Sequence, residues 1–348
     1  MVRKIVIFLL PAVMAVSCSE QHVPVQGGLG VPIEFGVSGA DVSVEVKSVL
    51  DQDAVDVGTV YVYGTEDGTE LYKNTAVTRD NTGRWLPEQE EDWIPNVRYS
   101  FYGYVSSPSP GDKGSAVYFL TDDGLSISVN QPTVYDPDGM ADYLLSRIVN
   151  VADGAMRPIV SLTMEHAMSL VEIQVVKSPS ISNAYINRMS VKGFYRSADM
   201  QCEQSTSTSD QPNSWTTTIT GSNDTEYSIN YGSGQPESGE IKASDEDNLT
   251  SQIRFMAVPQ QLTEDVILTV EYSVNEKSSE DEADNYKTHS EKFNLYDYRP
   301  IVWTSGHRIL YTLTVDTGIH LQGTIVPWKE IDEIEGTVLP EIPTESEE

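Results

Sequence analysis

The sequence predicts an all-β protein made of two antiparallel β-sandwich domains in tandem. Apolar residues alternate with polar ones at a period of two along most of the chain, turn-forming stretches separate these runs, and almost no segment has helical spacing. Strands that follow one another through hairpin turns, without helices between them, form antiparallel sandwiches rather than parallel sheets. The 348 residues are enough for two domains of ordinary size.

The alternating runs occur in both halves of the chain. Their apolar positions include Ile33, Phe35 and Val37; Val60 and Val62; Tyr99 and Phe101; Leu125, Ile127 and Val129; Val160, Leu162 and Met164; Val171, Ile173 and Val175; and Ile309, Tyr311, Leu313 and Val315. One segment, Asp138 to Val149, has apolar spacing compatible with a short helix. The polar stretches Gln204 to Asp247 and Glu276 to Glu291 are predicted to be exposed hairpin ends or loops.

Interruptions of this pattern divide the chain into five parts. The best domain boundary lies near residue 157, where Ala152-Asp153-Gly154 and Pro158 break the alternation. The expected parts are a signal peptide at 1–17, a tether at 18–32, an N-terminal sandwich at 33–157, a C-terminal sandwich at 158–335 and an acidic tail at 336–348.

The N-terminus has the features of an export signal. Arg3 and Lys4 precede an apolar stretch that is too short to span a bilayer. It ends in Ala15-Val16-Ser17-Cys18, which resembles a bacterial lipobox. We therefore expect Cys18 to carry a lipid that attaches the exported protein to the outer membrane. The alternative is an ordinary secretory signal with an incidental cysteine.

Composition excludes several functional classes. Lys and Arg number 22 against 53 Asp and Glu, a net charge of −31, whereas nucleic-acid binding requires concentrated basic residues. The five histidines lack metal-ligand spacing, and there is no nucleophile elbow or phosphate-binding glycine loop. Cys202 has no adjacent base, and with Cys18 it is one of only two cysteines. The sequence predicts no enzyme, no metal and no cofactor, and it favours a structural role for His166.

Several short segments occur in a specific order along the chain. They are Asp56 to Tyr63; Trp93 followed by Tyr99 to Tyr104; Asp142 to Leu145; Leu162 to Val175; Met256 to Gln260; Trp303 to His307 with Tyr311; and Trp328. Taken together they resemble the fimbrillin (Mfa-like) family of Bacteroidetes pilus subunits. The resemblance implies two transthyretin-like β-sandwich domains in a lipoprotein precursor at the cell surface.

The resemblance also implies assembly with other fimbrial subunits by donor-strand exchange. In that mechanism an Arg-directed protease removes the first strand, and the terminal strand of another subunit fills the groove. The removable strand in this chain would be the one containing Ile33, Phe35 and Val37, with their apolar face inward. A ligand on a host or bacterial surface is a further expected partner.

Two departures from the family pattern bear on the role of this subunit. No Arg or Lys lies between Cys18 and Val46, so the expected cleavage before the first strand has no target. The segment Val338 to Pro343 contains two prolines, which makes it a poor donor strand. We therefore favour an accessory, anchor or tip subunit over a bulk stalk pilin. The alternative is a surface lipoprotein that binds polysaccharide for nutrient uptake.

Overall fold

The computed structural model describes residues 30–39, 45–47, 54–56, 59–105, 115–121, 124–136, 140, 142–181, 183–202, 215–232, 239–241, 252–275, 285–316 and 319–327. Cys18, most of the tether and the acidic tail lie outside these residues, so what was predicted for them stays a prediction. Apart from two 3-10 turns at Gly154–Met156 and Leu295–Asp297, the regular elements in the described ranges are all β-strands. The predicted all-β class is confirmed. No helix in the described ranges is long and apolar enough to cross a membrane.

Twenty-four strands are numbered in chain order. Strands β1 to β12 span Phe35–Gly39, Glu45–Lys47, Ala54–Asp56, Thr59–Glu66, Thr69–Arg79, Trp85–Pro87, Tyr99–Val105, Ser115–Thr121, Gly124–Asn130, Leu144–Ser146, Val149–Val151 and Val160–His166. Strands β13 to β24 span Ser169–Lys177, Ala184–Phe194, Ser197–Cys202, Trp215–Ile219, Thr225–Asn230, Ile253–Ala257, Gln260–Gln261, Ile267–Asn275, Tyr286–Asn294, Val302–Trp303, His307–Val315 and Ile319–Pro327.

The N-terminal strands close into a barrel-like ring. Seven strands follow the order β10-β12-β1-β6-β5-β4-β7, and β10 also pairs with β7, which completes the circle. Strand β11 pairs with β7 along the same edge as β10, next to it. The predicted pairing was purely antiparallel, but β1 runs parallel to β12. Closure pairs strands that would otherwise present unpaired backbone groups at a sheet edge.

The C-terminal strands form a sandwich of two four-stranded sheets. One sheet has the order β18-β13-β23-β24 and the other β17-β14-β20-β21. In the first sheet β13 and β23 run parallel, whereas the other pairings in both sheets are antiparallel. A third sheet, β16-β15-β9-β8, extends from this sandwich.

Two elements pair across the boundary that we placed at residue 157. Strand β12 follows this boundary but pairs with β1 and β10 in the N-terminal ring. Hairpin β8–β9 precedes it but pairs with β15 of the C-terminal half. These pairings favour a division between β12 and β13, with the β8–β9 hairpin assigned to the C-terminal unit.

The two units have separate apolar cores with a shared seam. The smaller core fills the ring and includes Phe35, Val62 and Phe101. The larger core fills the sandwich and reaches the outer surface of the ring. At this seam the ring of Tyr104 stacks on that of Tyr118 with their centroids 3.8 Å apart. Tyr118 also donates a hydrogen bond from its hydroxyl to the carbonyl oxygen of Val105.

The short helix expected within Asp138 to Val149 is wrong in the described part of that segment. Residues 144–146 and 149–151 form β10 and β11. Leu144 belongs to the smaller core and Leu145 to the larger one, so consecutive side chains are buried on opposite faces of the strand. Because both faces are apolar, the sequence lacks the alternation of a half-buried strand and mimics helical spacing.

Candidate functional site: the first strand and its groove

Strand β1 is bonded unequally to its two neighbours. Its five residues pair in parallel with β12, from Phe35 opposite Val160 to Gly39 opposite Met164. On the other side only Phe35 pairs with a residue of β6, namely Trp85. The ladder that holds β1 in the ring is therefore short and mostly one-sided.

Backbone pairing begins before β1 itself. The amide of Ile33 donates to the carbonyl oxygen of Glu91 at 2.8 Å, and the amide of Trp93 donates to that of Val31 at 3.0 Å. Pro32 forms an isolated antiparallel bridge with Asp92. The segment that crosses the ring therefore starts at the end of the predicted tether.

The three predicted strand residues share the inward face of this segment. Ile33 is 0% exposed and Phe35 is 3% exposed, while Val37 is half-buried against the same core. The Phe35 ring contacts the rings of Tyr72 and Phe101 in edge-on geometry, at centroid distances of 6.1 and 5.6 Å. Ile33 and Phe35 are thus the anchoring side chains, and Val37 lies at the end of the groove.

A glycine makes room for the aromatic floor of the groove. A Cβ atom at Gly64 in β4 would lie 2.9 Å from a ring carbon of Tyr72 and 3.0 Å from one of Phe101. Rings held between neighbouring strands cannot easily move away. Gly64 therefore allows these two rings to approach each other beneath Phe35. Burial raises the pKa of Tyr72 well above its usual value.

One exposed ion pair joins the start of the strand to the β5–β6 turn. Arg84 contacts both carboxylate oxygens of Glu34, and its Nε lies 3.3 Å from Oε2. In the same turn, a hydrogen bond from the Thr82 hydroxyl, together with the Arg84 and Thr82 amides, lowers the pKa of Asp80. Both side chains of the Glu34–Arg84 pair are substantially exposed, so the pair adds little to the binding of β1.

The remaining candidate residues are distributed as follows. His166 ends β12 and contacts the Asp142 carboxylate through Nδ1, and its carbonyl oxygen accepts a hydrogen bond from Ser305 at 2.9 Å. These contacts fit the structural role predicted for it. Cys202 is the last residue of β15. The described residues contain no cluster of three or more metal-ligating side chains.

Sequence reasoning missed the residues that line the groove. Tyr72, Trp85 and Trp93 are almost fully buried around Phe35 and Ile33 in the smaller core. From the sequence, Trp93 was noted within a motif of the family resemblance, and neither Tyr72 nor Trp85 was assigned to a groove. Their partner could not be known from the sequence, because pairing with a strand fifty residues away leaves no local signal.

The fold and this site define a β-protein whose first strand completes the core of its N-terminal ring. The sequence profile of the fimbrillin-like family matches residues 47–328, which is more than half of the chain. The chain therefore belongs to the fimbrillin-like family, as the motif order indicated. Membership indicates a protein of the cell surface that assembles with other fimbrial subunits. No curated protein sequence matches this chain.

Solved structures that match this chain come from species of Bacteroides and Parabacteroides. A candidate cell adhesion protein from Bacteroides uniformis shares 13% identity and a TM-score of 0.52, over 86% of this chain and 99% of that one. A fimbrial assembly protein from Parabacteroides distasonis shares 10% identity and a TM-score of 0.38, over 85% and 95%. A candidate polysaccharide-binding protein from Bacteroides thetaiotaomicron shares 12% identity and a TM-score of 0.38, over 86% and 99%.

Proposed function

We propose that this protein is a non-enzymatic structural and adhesive subunit of a cell-surface fimbria, and that β1 is its exchangeable strand. The observation that carries this proposal is that β1 is paired mainly along one edge. It pairs along its whole length with β12 but at a single residue with β6. A donor strand in its place would gain main-chain hydrogen bonds and bury its side chains against the groove.

The groove has the chemistry that such a donor requires. Removal of β1 would uncover the pocket of Ile33 and Phe35 and the unpaired edge of β12. Burial of each of these side chains stabilises the ring by about 1.5–3 kcal/mol. A donor with large apolar residues at alternate positions would recover this free energy.

The accessory, anchor or tip role is part of the same proposal. The first basic residue after Cys18 is Lys47, beyond the end of β1, so an Arg-directed protease has no site before the strand. A precursor that keeps β1 retains a filled groove and cannot accept a donor. Lipid attachment at Cys18 would then anchor this subunit in the outer membrane.

We also propose that both units are transthyretin-like. The first strand of the ring and the first strand of the two four-stranded sheets of the sandwich each pair in parallel with a late strand, β1 with β12 and β13 with β23. This common arrangement supports a repeated topology in the two halves.

The test is deletion of residues 19–40 from the otherwise complete chain. We expect a lower melting temperature, or oligomers in light scattering, because the uncovered groove is apolar. A synthetic peptide of residues 30–40 should restore the monomer and its melting temperature. The matched control is the same peptide with Phe35→Asp, which should restore neither. A monomeric deletion variant with an unchanged melting temperature would show that the segment is only tether.

A further inference from the structure

The outer face of the sheet β17-β14-β20-β21 is open to solvent in the part of the chain that the structure describes. Outward side chains on the two flanking strands are exposed, namely Glu226, Ser228 and Asn230 on β17 and Tyr286, Thr288, Ser290 and Lys292 on β21. The opposite sheet of the sandwich differs, because its outward residues Leu170 and Val176 are only 1% and 2% exposed. The first sheet is thus exposed along its two flanking strands, whereas Asn187 and Ser273 on its central strands are only 6% and 7% exposed.

A β-bulge places an extra polar side chain on this surface. The register between β14 and β20 shifts between Ile186 and Arg188, so Asn187 is inserted beside Arg188 on the same face. Asn187 Nδ2 donates to Ser273 Oγ at 2.9 Å, and Ser273 Oγ lies 3.1 Å from Thr288 Oγ1. The three side chains form a fixed row of amide and hydroxyl groups across three strands.

Two tyrosines meet above the central strand next to this row. Tyr185 belongs to β14 and Tyr286 to β21, the strands on either side of β20. Their ring centroids are 5.3 Å apart, and the Tyr286 hydroxyl donates to that of Tyr185 at 3.4 Å. Tyr286 is 39% exposed. The face therefore places the exposed Tyr286 ring near the exposed Thr288 hydroxyl, and the buried side chains of Asn187 and Ser273 hold that hydroxyl in position.

The charges of this face nearly cancel. Arg188 forms an ion pair with Glu226 at 3.3 Å and also lies opposite Glu271. Lys192 lies opposite Glu226 in the register. This balance contrasts with the net charge of −31 of the whole chain. A face of mixed charge attracts neither a polyanion nor a polycation strongly, which favours a neutral ligand.

Apolar surface is too sparse here for docking another protein. Among the large apolar side chains that are exposed in the described chain, only Tyr286 lies on this face. Protein interfaces require a fully buried apolar centre, which this surface lacks. Sugars need different groups, because their C–H faces pack on aromatic rings and each of their hydroxyls requires a donor and an acceptor.

We propose that this face binds a neutral carbohydrate. Tyr286, supported by Tyr185, packs against a sugar ring, and the exposed Thr288 hydroxyl hydrogen-bonds to a hydroxyl group of that ring. The buried Asn187 and Ser273 hold Thr288 in position. The strands hold these residues in place before binding, so little conformational entropy is lost. Such a site suits a fimbrial adhesin, and it suits equally the alternative role in polysaccharide capture.

The test is affinity electrophoresis of the full chain in gels that contain laminarin, xylan, yeast mannan or dextran, with polygalacturonate as an acidic comparison. We expect at least one neutral polysaccharide to retard the protein. Tyr185→Ala and Tyr286→Ala should each weaken this retardation by on the order of 10-fold, since aromatic packing contributes about 1 kcal/mol or more and 1.4 kcal/mol is tenfold. Tyr286→Phe should keep most of the affinity.

The matched control is Tyr296→Ala. Tyr296 is 40% exposed, like Tyr286, but it lies in a 3-10 turn outside the proposed face. Circular dichroism would establish that each variant is folded. The proposal is overturned if no neutral polysaccharide retards the protein, if only polygalacturonate does, or if Tyr296→Ala weakens binding as much as Tyr286→Ala. None of these outcomes bears on the exchange of β1, which is tested separately by deletion.

Discussion

Strands β1 and β13 hold equivalent positions in the two units but are bound very differently. Strand β1 is the first strand of the ring, β13 is the first strand of the two four-stranded sheets of the sandwich, and each runs parallel to a later strand. Strand β13 pairs with β23 at eight positions and with β18 at five, and Ile173 at its centre is 0% exposed. Strand β1 pairs with β12 at five positions and with β6 at one.

Position in the topology therefore does not by itself make a strand exchangeable. Main-chain pairing on both sides and burial on both faces tie β13 into the sandwich, so its loss would expose a whole core. Strand β1 and the residues just before it contribute two anchoring side chains, Phe35 and Ile33, to a smaller core. We therefore expect exchange at β1 and none at β13, and substitutions in the two strands measure the contrast.

The largest effect should come from Ile173→Asp in β13. A carboxylate at this buried position has no partner, and we expect a loss above about 4 kcal/mol, which unfolds the C-terminal sandwich. Val37→Asp in β1 is the matched change, and it should leave the fold intact because the half-buried Val37 can turn toward water. Circular dichroism melts would check both, and equal losses would remove the distinction between the strands.

The second effect concerns the anchor of β1. Phe35→Ala removes a ring that contacts Tyr72 and Phe101, and we expect the ring unit to lose about 3–4 kcal/mol of unfolding free energy. Val37→Ala should cost about 1 kcal/mol, because this side chain is only half-buried. Urea unfolding measures both values. If both variants lost only about 1 kcal/mol of unfolding free energy, Phe35 would not be the side chain that anchors β1 in the groove.

The sequence predicted which residues face inward but not which strands are neighbours. Alternation placed Ile33, Phe35 and Val37 on one face, and the structure agrees. Closure of the ring and the crossing of the β8–β9 hairpin into the C-terminal unit depend on contacts between distant segments. Such contacts leave no periodicity to detect, since alternation defines the face of a strand and not its partner.

The outer face of the sheet β17-β14-β20-β21 did leave one signal in the sequence. Buried apolar residues of β14 occupy even positions at Ala184 and Ile186 and odd positions at Met189 and Val191, and this change of phase marks the bulge at Asn187. The surrounding strands were harder to predict. Strand β17 lies within Gln204 to Asp247, and β21 overlaps Glu276 to Glu291. Both segments were predicted to be exposed hairpin ends or loops because they are rich in polar residues.

A third, intermediate effect should follow from Glu172→Ala. The Glu172 carboxylate in β13 contacts Arg308 in β23 and lies 2.9 Å from Arg254 Nε in β18, so one side chain joins three strands. We expect a loss of about 2 kcal/mol, below that of a fully buried pair because both arginines are partly exposed. Glu70→Ala, which breaks an exposed pair with Lys73, is the control and should have almost no effect. Equal urea midpoints for the two variants would show that Glu172 does not stabilise the contact between β13, β18 and β23.

A smaller effect with a distinct pH dependence is expected for Tyr311→Phe. Burial raises the pKa of Tyr311 to about 12, and its hydroxyl accepts from Trp303 Nε1 at 3.1 Å and donates to the Pro300 carbonyl oxygen. At pH 7 the variant should lose about 1 kcal/mol with these hydrogen bonds. Above pH 10 the unfolded tyrosine ionises while the folded one stays neutral, so the wild type loses stability as the pH rises toward 12. The difference in unfolding free energy between wild type and variant should therefore become smaller as the pH rises from 10 in urea titrations. A difference that stays constant would exclude a contribution of Tyr311 ionisation to the pH dependence.

The smallest effect, and the sharpest test of how β1 is held, is expected for Glu34→Gln. Glu34 pairs with Arg84 at the start of the strand much as Glu172 pairs with its arginines in β13, but here water surrounds both groups. Exposed pairs contribute about 0–1 kcal/mol, so we expect a loss below about 0.5 kcal/mol that disappears in 1 M salt. Binding of the 30–40 peptide to the deletion variant should also be nearly unchanged when the peptide carries this substitution. If the substituted peptide instead bound more than about tenfold more weakly at low salt, the ion pair would be the main attachment of β1, and apolar burial of Ile33 and Phe35 would not be what determines its exchange.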